Sequence, residues 1–273
     1  MATKPAISSR KKSTVSKPNA QNMPALVNFK AVSKALKDMP IIGKIVAEFL
    51  GAFLLTVAFL EMQGNPLFVG FSLVGVVLIV GGVSGAHVNP AVTFGAWVTR
   101  KMTWVYALGY ILAQLIGASV AFLVLNTFLH NNGATSAQLA AGSPALFHAA
   151  TITAGKEWYV FFAELFGTTI LATGVATALR VRRNKLASAF SAGFALLVAL
   201  YIAMSLTTVL LTASGVNLTF LNPAIALAAN GLSWNMWPLS IYVLAPVLGG
   251  VIGFALQDFL HSQSDDCECA DCK

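Results

Sequence analysis

Charge is scarce in this chain. Of its 273 residues 10% are charged, 57% are hydrophobic and the mean hydropathy is +0.75. A soluble domain carries about 25% charged residues. A chain this apolar cannot cover itself with polar groups in water, so lipid is its expected solvent. Cysteine is also rare: Cys267, Cys269 and Cys272, all in the C-terminal segment, are the only three. None can staple a loop elsewhere in the chain. No carboxylate pair, Ser-His-Asp set or phosphate loop stands at a plausible site, which argues against an enzyme. The stretches that could line a pore hold no ionisable residue to bind a driving ion, which argues against a coupled transporter.

What the chain does have is long apolar runs. A membrane-crossing helix needs about 20 apolar residues. Six segments qualify, roughly 42–61, 67–86, 103–129, 158–179, 186–211 and 237–258. So many runs exceed what one soluble core explains. The expected class is an all-α membrane protein. Its expected organisation is a basic, disordered tail over 1–40, a channel domain over 41–260 with halves 41–130 and 157–260, and a Cys-rich tail over 261–273.

The positive charges are one-sided. Nine Lys and Arg precede the first span up to Lys44, Arg100 and Lys101 precede the third, and Arg180, Arg182, Arg183 and Lys185 lie between the fourth and fifth. With six spans these fall on one side, joined by the terminal Lys273, and only Lys156 lies opposite. The positive-inside rule then puts both termini in the cytoplasm. The basic tail suits anionic lipid better than nucleic acid, which is not an expected partner. The C-terminal C-x-C-x-x-C run allows three readings: a reduced flexible tail, soft-metal binding by Cys267, Cys269 and Cys272, or palmitoylation. The first is preferred, and no cofactor is expected.

The sequence repeats itself. Tyr110-Ile-Leu-Ala-Gln-Leu-Ile-Gly117 in segment three matches Tyr242-Val-Leu-Ala-Pro-Val-Leu-Gly249 in segment six. Ala47-Glu48-Phe49-Leu50-Gly51 in segment one matches Ala163-Glu164-Leu165-Phe166-Gly167 in segment four. Three spans per half make the halves enter the membrane from opposite sides, an inverted repeat with its site near the midplane. Small residues every four positions, at Gly109, Ala113 and Gly117 and again at Ala245, Gly249 and Gly253, predict close helix packing.

Each half also holds an apolar stretch too brief to span, opened by Asn89-Pro90-Ala91 or by Asn222-Pro223-Ala224. Asn suits an N-cap and Pro the first helical position. Each motif therefore reads as loop, cap and half-helix. Two such half-helices in inverted halves meet nose to nose at mid-membrane. Irregular backbone there is tolerable only where it lines a cavity or is buried in protein. The preceding carbonyls would form a polar track, the Asn amides would donate to a passing solute, and both positive helix ends would oppose cations.

A single Asn-Pro-Ala tripeptide occurs by chance. Two at matching non-spanning segments of a six-span repeat are specific, and over residues 42–260 the chain resembles the aquaporin and aquaglyceroporin family. The residues that carry the likeness are Ala47–Gly51, Ser84-Gly-Ala-His-Val-Asn-Pro-Ala-Val92, Ala113-Gln-Leu-Ile-Gly117 and the second motif. The resemblance implies an hourglass fold of six spans and two re-entrant half-helices, a pore in each protomer, and a homotetramer. It implies that Glu48 and Glu164 accept hydrogen bonds from the re-entrant loops and that His87 packs a loop rather than lining the pore. Family spacing puts the outer selectivity filter at Val69, Leu210, Thr219 and Ile225.

The departure lies in that filter. The family pattern continues the second motif with Arg, and here the residue is Ile225. The glycerol type has an Asp directly after the Arg, where this chain has Ala226. Without a fixed charge or an aromatic wall, a wide filter would admit larger solutes and a narrow one would block water by dewetting. The expected function is a passive channel for small neutral solutes: water, glycerol, urea, ammonia, hydrogen peroxide or a gas. The alternative is a non-conducting tetrameric structural or adhesion protein on the same fold.

Overall fold

A computed structural model describes residues 40–131, 149, 151–208 and 218–270. These belong to a compact unit, Met39–Lys273. The basic tail, Leu210, Cys272, and the side chains of Cys267 and Cys269 lie outside the described residues. Among the described residues the structure is almost wholly helical: α1 (Pro40–Glu61), α2 (Pro66–Val80), α3 (Pro90–Val98), α4 (Trp104–Asn131), α5 (Glu157–Arg180), α6 (Lys185–Thr208), α7 (Pro223–Ala228), α8 (Met236–Leu239) and α9 (Ala245–Ala270). A π-helical turn, Ser240–Leu244, joins α8 to α9.

Five of the expected spans are long and apolar enough to cross a membrane, the last running Met236–Ser262. The second is shorter than the sequence suggests. Its helix ends at Val80 after 15 residues, and Gly81–Ser84 continue as turns. A uniformly apolar run gives no sign of where a helix stops, and here the chain must leave the helix early to become the loop before Asn89. At the other end α9 outruns its expected limit and carries the backbone of Cys267 and Cys269 in its last turns.

The Asn-Pro start is used three times. Asn65 caps α2, Asn89 caps α3 and Asn222 caps α7, each with Pro at the next position. Each Asn side-chain oxygen accepts from the N–H two residues on, at 3.1, 2.8 and 3.0 Å. One local code therefore begins a span and both half-helices. Pro246 is placed differently. It is the second residue of α9 and has no N–H to donate, and a π-helical turn, Ser240–Leu244, stands just before it.

The packing follows the inverted repeat. In the first half α1 packs on α2 and α4; in the second α5 packs on α6 and α9. The half-helices cross over: α3 packs on α9 and α7 on α4, while α2 meets α6 between the halves. Large apolar side chains such as Phe71, Leu112, Ile116, Phe162, Phe166 and Ile252 stand on the outside. The polar residues Glu48, Gln114, Glu164, Asn89 and Asn222 are buried within. That arrangement, apolar outside and polar inside, suits lipid.

The small residues act at the helix contacts as expected. A Cβ on Gly249 would stand 2.6 Å from the Leu165 carbonyl oxygen, and one on Gly253 would stand 2.5 Å from that of Thr169. Both neighbours are backbone, so α5 and α9 would have to separate. Gly75 on α2 has nothing within 4 Å of its ideal Cβ. Gly249→Val is therefore expected to cost about 1–3 kcal/mol by overpacking, seen as a lower unfolding temperature in detergent. Gly75→Ala should be neutral or stabilising by up to about 1 kcal/mol.

Candidate functional site

Each motif is preceded by a short extended loop that ends in a strained residue. Val88 has φ 43° and Leu221 has φ 55°. Both stand just before the capping Asn, in the left-handed region that a β-branched residue such as Val rarely enters. Such strain persists only where the surroundings over-determine it. Here two buried carboxylates do so. Glu48 accepts from the backbone N–H of His87 at 3.0 Å and of Val88 at 2.7 Å. Glu164 accepts from Phe220 at 2.5 Å and Leu221 at 2.9 Å.

The two loops are also tied to each other. Asn89 Nδ2 donates to the Leu221 carbonyl at 2.7 Å, and Asn222 Nδ2 donates to the Val88 carbonyl at 2.9 Å. The carbonyl of each strained residue is thus held by the Asn of the opposite half. Each Asn amide has two N–H donors. One is spent on this cross-bond, and the capping bond uses the oxygen. The second N–H of each remains for the space the residues line.

That space is a void between the motifs. Its polar strip is His87, Val88, Asn89 and Asn222, and its apolar wall includes Leu55, Phe59, Val69, Phe220 and Ile225. Its volume is about 10 Å³, roughly the room of a single water. Of the four filter positions expected from the sequence, Val69 and Ile225 line this void and are buried. Thr219 is fully buried, and the described lining does not include it. His87, expected to pack a loop, does so through its backbone and through Nδ1, 3.3 Å from Thr93 Oγ1. It also lines the void.

Below His87 the space widens. A cavity of about 580 Å³ opens towards the side of Lys44, Lys101, Arg180 and Arg182. His87 lines both spaces.

Phe59 and Phe220 were not singled out by the sequence reading. Their rings lie 5.7 Å apart, and Phe220 also meets Tyr242 edge-on at 5.1 Å. One signal was present: Phe220 precedes Asn222 by two residues, as His87 precedes Asn89. The repeat thus places a polar ring on one side of the motifs and an apolar ring on the other. The halves differ in their support too. Glu48 takes a third bond from Gln114 Nε2 at 2.7 Å, and Gln114 reaches Thr93 at 2.9 Å. The repeat puts Pro246 and Ala226 at the matching places, so Glu164 has no such partner there.

Comparison with known proteins fits this geometry. Residues 35–256 match the family model described as major intrinsic protein. The chain is 31% identical over 205 residues to aquaporin AqpM of Methanothermobacter thermautotrophicus, covering 71% of this chain and 75% of that protein. It is 31% identical over 219 residues to the glycerol uptake facilitator protein-like 6 of Lactiplantibacillus plantarum, covering 77% and 94%. The fold is similar to the X-ray structure of the aquaglyceroporin from Plasmodium falciparum, with a TM-score of 0.58 and 22% identity over 80% of this chain and 96% of that one.

Glu164→Leu would remove the carboxylate to which the Phe220 and Leu221 N–H groups donate, at about 1–3 kcal/mol for each buried bond lost. We expect it to lower the unfolding temperature sharply by tryptophan fluorescence in detergent. Glu164→Gln keeps an acceptor and should lose about half as much.

Proposed function

The chain belongs to the major intrinsic protein family, and from that premise we propose a narrow, apolar-gated passive channel for small, weakly hydrated neutral solutes. Family membership makes it an integral membrane protein and a passive channel for small solutes, not an enzyme. The finer reading rests on one observation: the void between the motifs has room for about one water and is walled largely by Phe59, Phe220, Val69 and Ile225.

A solute in that void finds donors on one side only, from Asn89 and Asn222. Water passing Phe220 and Ile225 would have to give up most of its remaining hydrogen bonds, and an apolar constriction gates by dewetting. Ammonia or a dissolved gas gives up less. Glycerol and urea are larger than the void and carry several polar groups that the wall cannot satisfy. Ile225 supplies no fixed positive charge. Cation and proton exclusion would then rest on the N-termini of α3 and α7, which meet at the motifs with their positive ends inward.

We place the mouth lined by Lys44, Lys101, Arg180 and Arg182 in the cytoplasm, with both termini on that side, from the one-sided distribution of Lys and Arg. Homotetramer assembly, typical of the family, would bury part of the outward apolar surface. The non-conducting structural alternative draws on the same closed void. Against it stand the donors of Asn89 and Asn222, set in a lining that a structural plug would not need.

Stopped-flow measurements on proteoliposomes test the proposal. The wild type should conduct ammonia above empty vesicles, with glycerol and urea near background. Phe220→Gly should raise water and glycerol permeability by about tenfold, equivalent to about 1.4 kcal/mol of barrier. Fast glycerol flux through the wild type would contradict the narrow gate. No flux of any solute through either protein would favour the structural alternative.

A further inference from the structure

The basic mouth is more than a topogenic signal. Four cationic side chains from different parts of the fold converge on its one cavity: Lys44 on α1, Lys101 before α4, Arg180 at the end of α5, and Arg182 in the turn that follows. The lining offers one carboxylate against them, Asp258 of α9. Asp258 already bridges Lys101 at 2.8 Å and Arg180 at 2.5 Å. Arg100, Arg183 and Lys185 are close in sequence to these residues but do not line the cavity. Charge for membrane orientation alone needs no such convergence.

The donors are held but not exhausted. Arg182 gives one N–H to the Gly82 carbonyl at 3.1 Å. A guanidinium has five N–H donors and an ammonium three. Lys44 lies 4.8 Å over the ring of Tyr106, which also lines the cavity. These contacts fix the cations around about 580 Å³ of space. That is far more than a lone chloride needs, and the excess of cations over carboxylate favours a multivalent anion.

We propose that this cavity binds a small multivalent anion of the phosphate class and that the bound anion caps the pore. Arg180 and Arg182 provide fork-shaped donors for non-bridging phosphate oxygens, and Lys44 and Lys101 add point charges. The cavity is ringed by α1, α4, α5 and α9 and ends on His87 above the void, so a diffusible anion fits it better than a lipid headgroup. An occupant there would stand beside His87, which also lines the void. The capping step rests on the channel reading above; the binding step does not.

The two can be told apart by calorimetry on the full-length protein in detergent, titrated with inorganic pyrophosphate at about 0.1 M salt, where screening is partial. Saturable binding is expected. Lys44→Gln with Arg182→Gln should weaken it by about tenfold. Arg183→Gln with Lys185→Gln removes the same charge outside the cavity and should leave it nearly unchanged. Arg182→Lys should retain part of the affinity if the loss is one of charge rather than of folding. No saturable binding, or equal loss in both double variants, would overturn the site. Displacement of pyrophosphate by short-chain phosphatidic acid at lower concentration would assign the site to a headgroup and overturn the free-anion form. Pyrophosphate trapped on the basic side of proteoliposomes should slow ammonia flux in the wild type and not in Lys44→Gln/Arg182→Gln. Binding without slowing would overturn the capping step alone.

Discussion

A backbone that enters lipid and turns back must find a partner for every N–H and carbonyl it exposes there, and this structure depends on how it does so. Two carboxylates reach in from α1 and α5 and take the N–H groups of the two loops. The two capping Asn residues take the carbonyls of Val88 and Leu221 crosswise. The bonds are reciprocal, so neither half-helix is positioned without the other. The left-handed backbone at Val88 and Leu221 is the cost of the reversal, and the same bonds hold it in place. The polar lining of the void follows from this lock, including the two Asn amides, each with a second N–H beyond its cross-bond.

Much of this was legible in the sequence because its causes are local or periodic. Apolar length marked the spans, Asn-Pro marked the caps, and the odd number of spans per half required inversion. Glu48 and Glu164 stood out as carboxylates in otherwise apolar runs. Helix ends inside uniform apolar stretches were not legible, as α2 shows by stopping at Val80. The lining of the void was only half legible. Val69 and Ile225, which line it, stand among the positions that family spacing singles out, but Phe59 and Phe220 look like any other buried aromatics in a hydrophobic chain. Their place comes from where the two halves bring them, in ring contact at 5.7 Å beside the void, and no spacing within one segment encodes that. Gln114 and Pro246 show a related limit. The repeat aligns them, yet one extends a polar network and the other follows a π-helical turn.

The protein holds two spaces with opposite chemistry, and His87 lines both. On the basic side lies a wide cavity rich in fixed cations. On the other lies a void of about one water with apolar walls. In the proposed reading, a charged solute is drawn to the first and refused by the second, so that recognition at the mouth is separate from passage at the centre. Replacement of Arg by Ile225 belongs to the same design, because it removes the fixed charge where the wall is apolar and leaves the charge concentrated at the mouth.

The most direct test of this account is a high-resolution density map of the lipid-embedded protein that shows ordered water along the pore. The account predicts water in the basic cavity and up to the Asn89 and Asn222 amides, then a break beside Phe59, Phe220 and Ile225. A continuous file of water past Phe220 would contradict it.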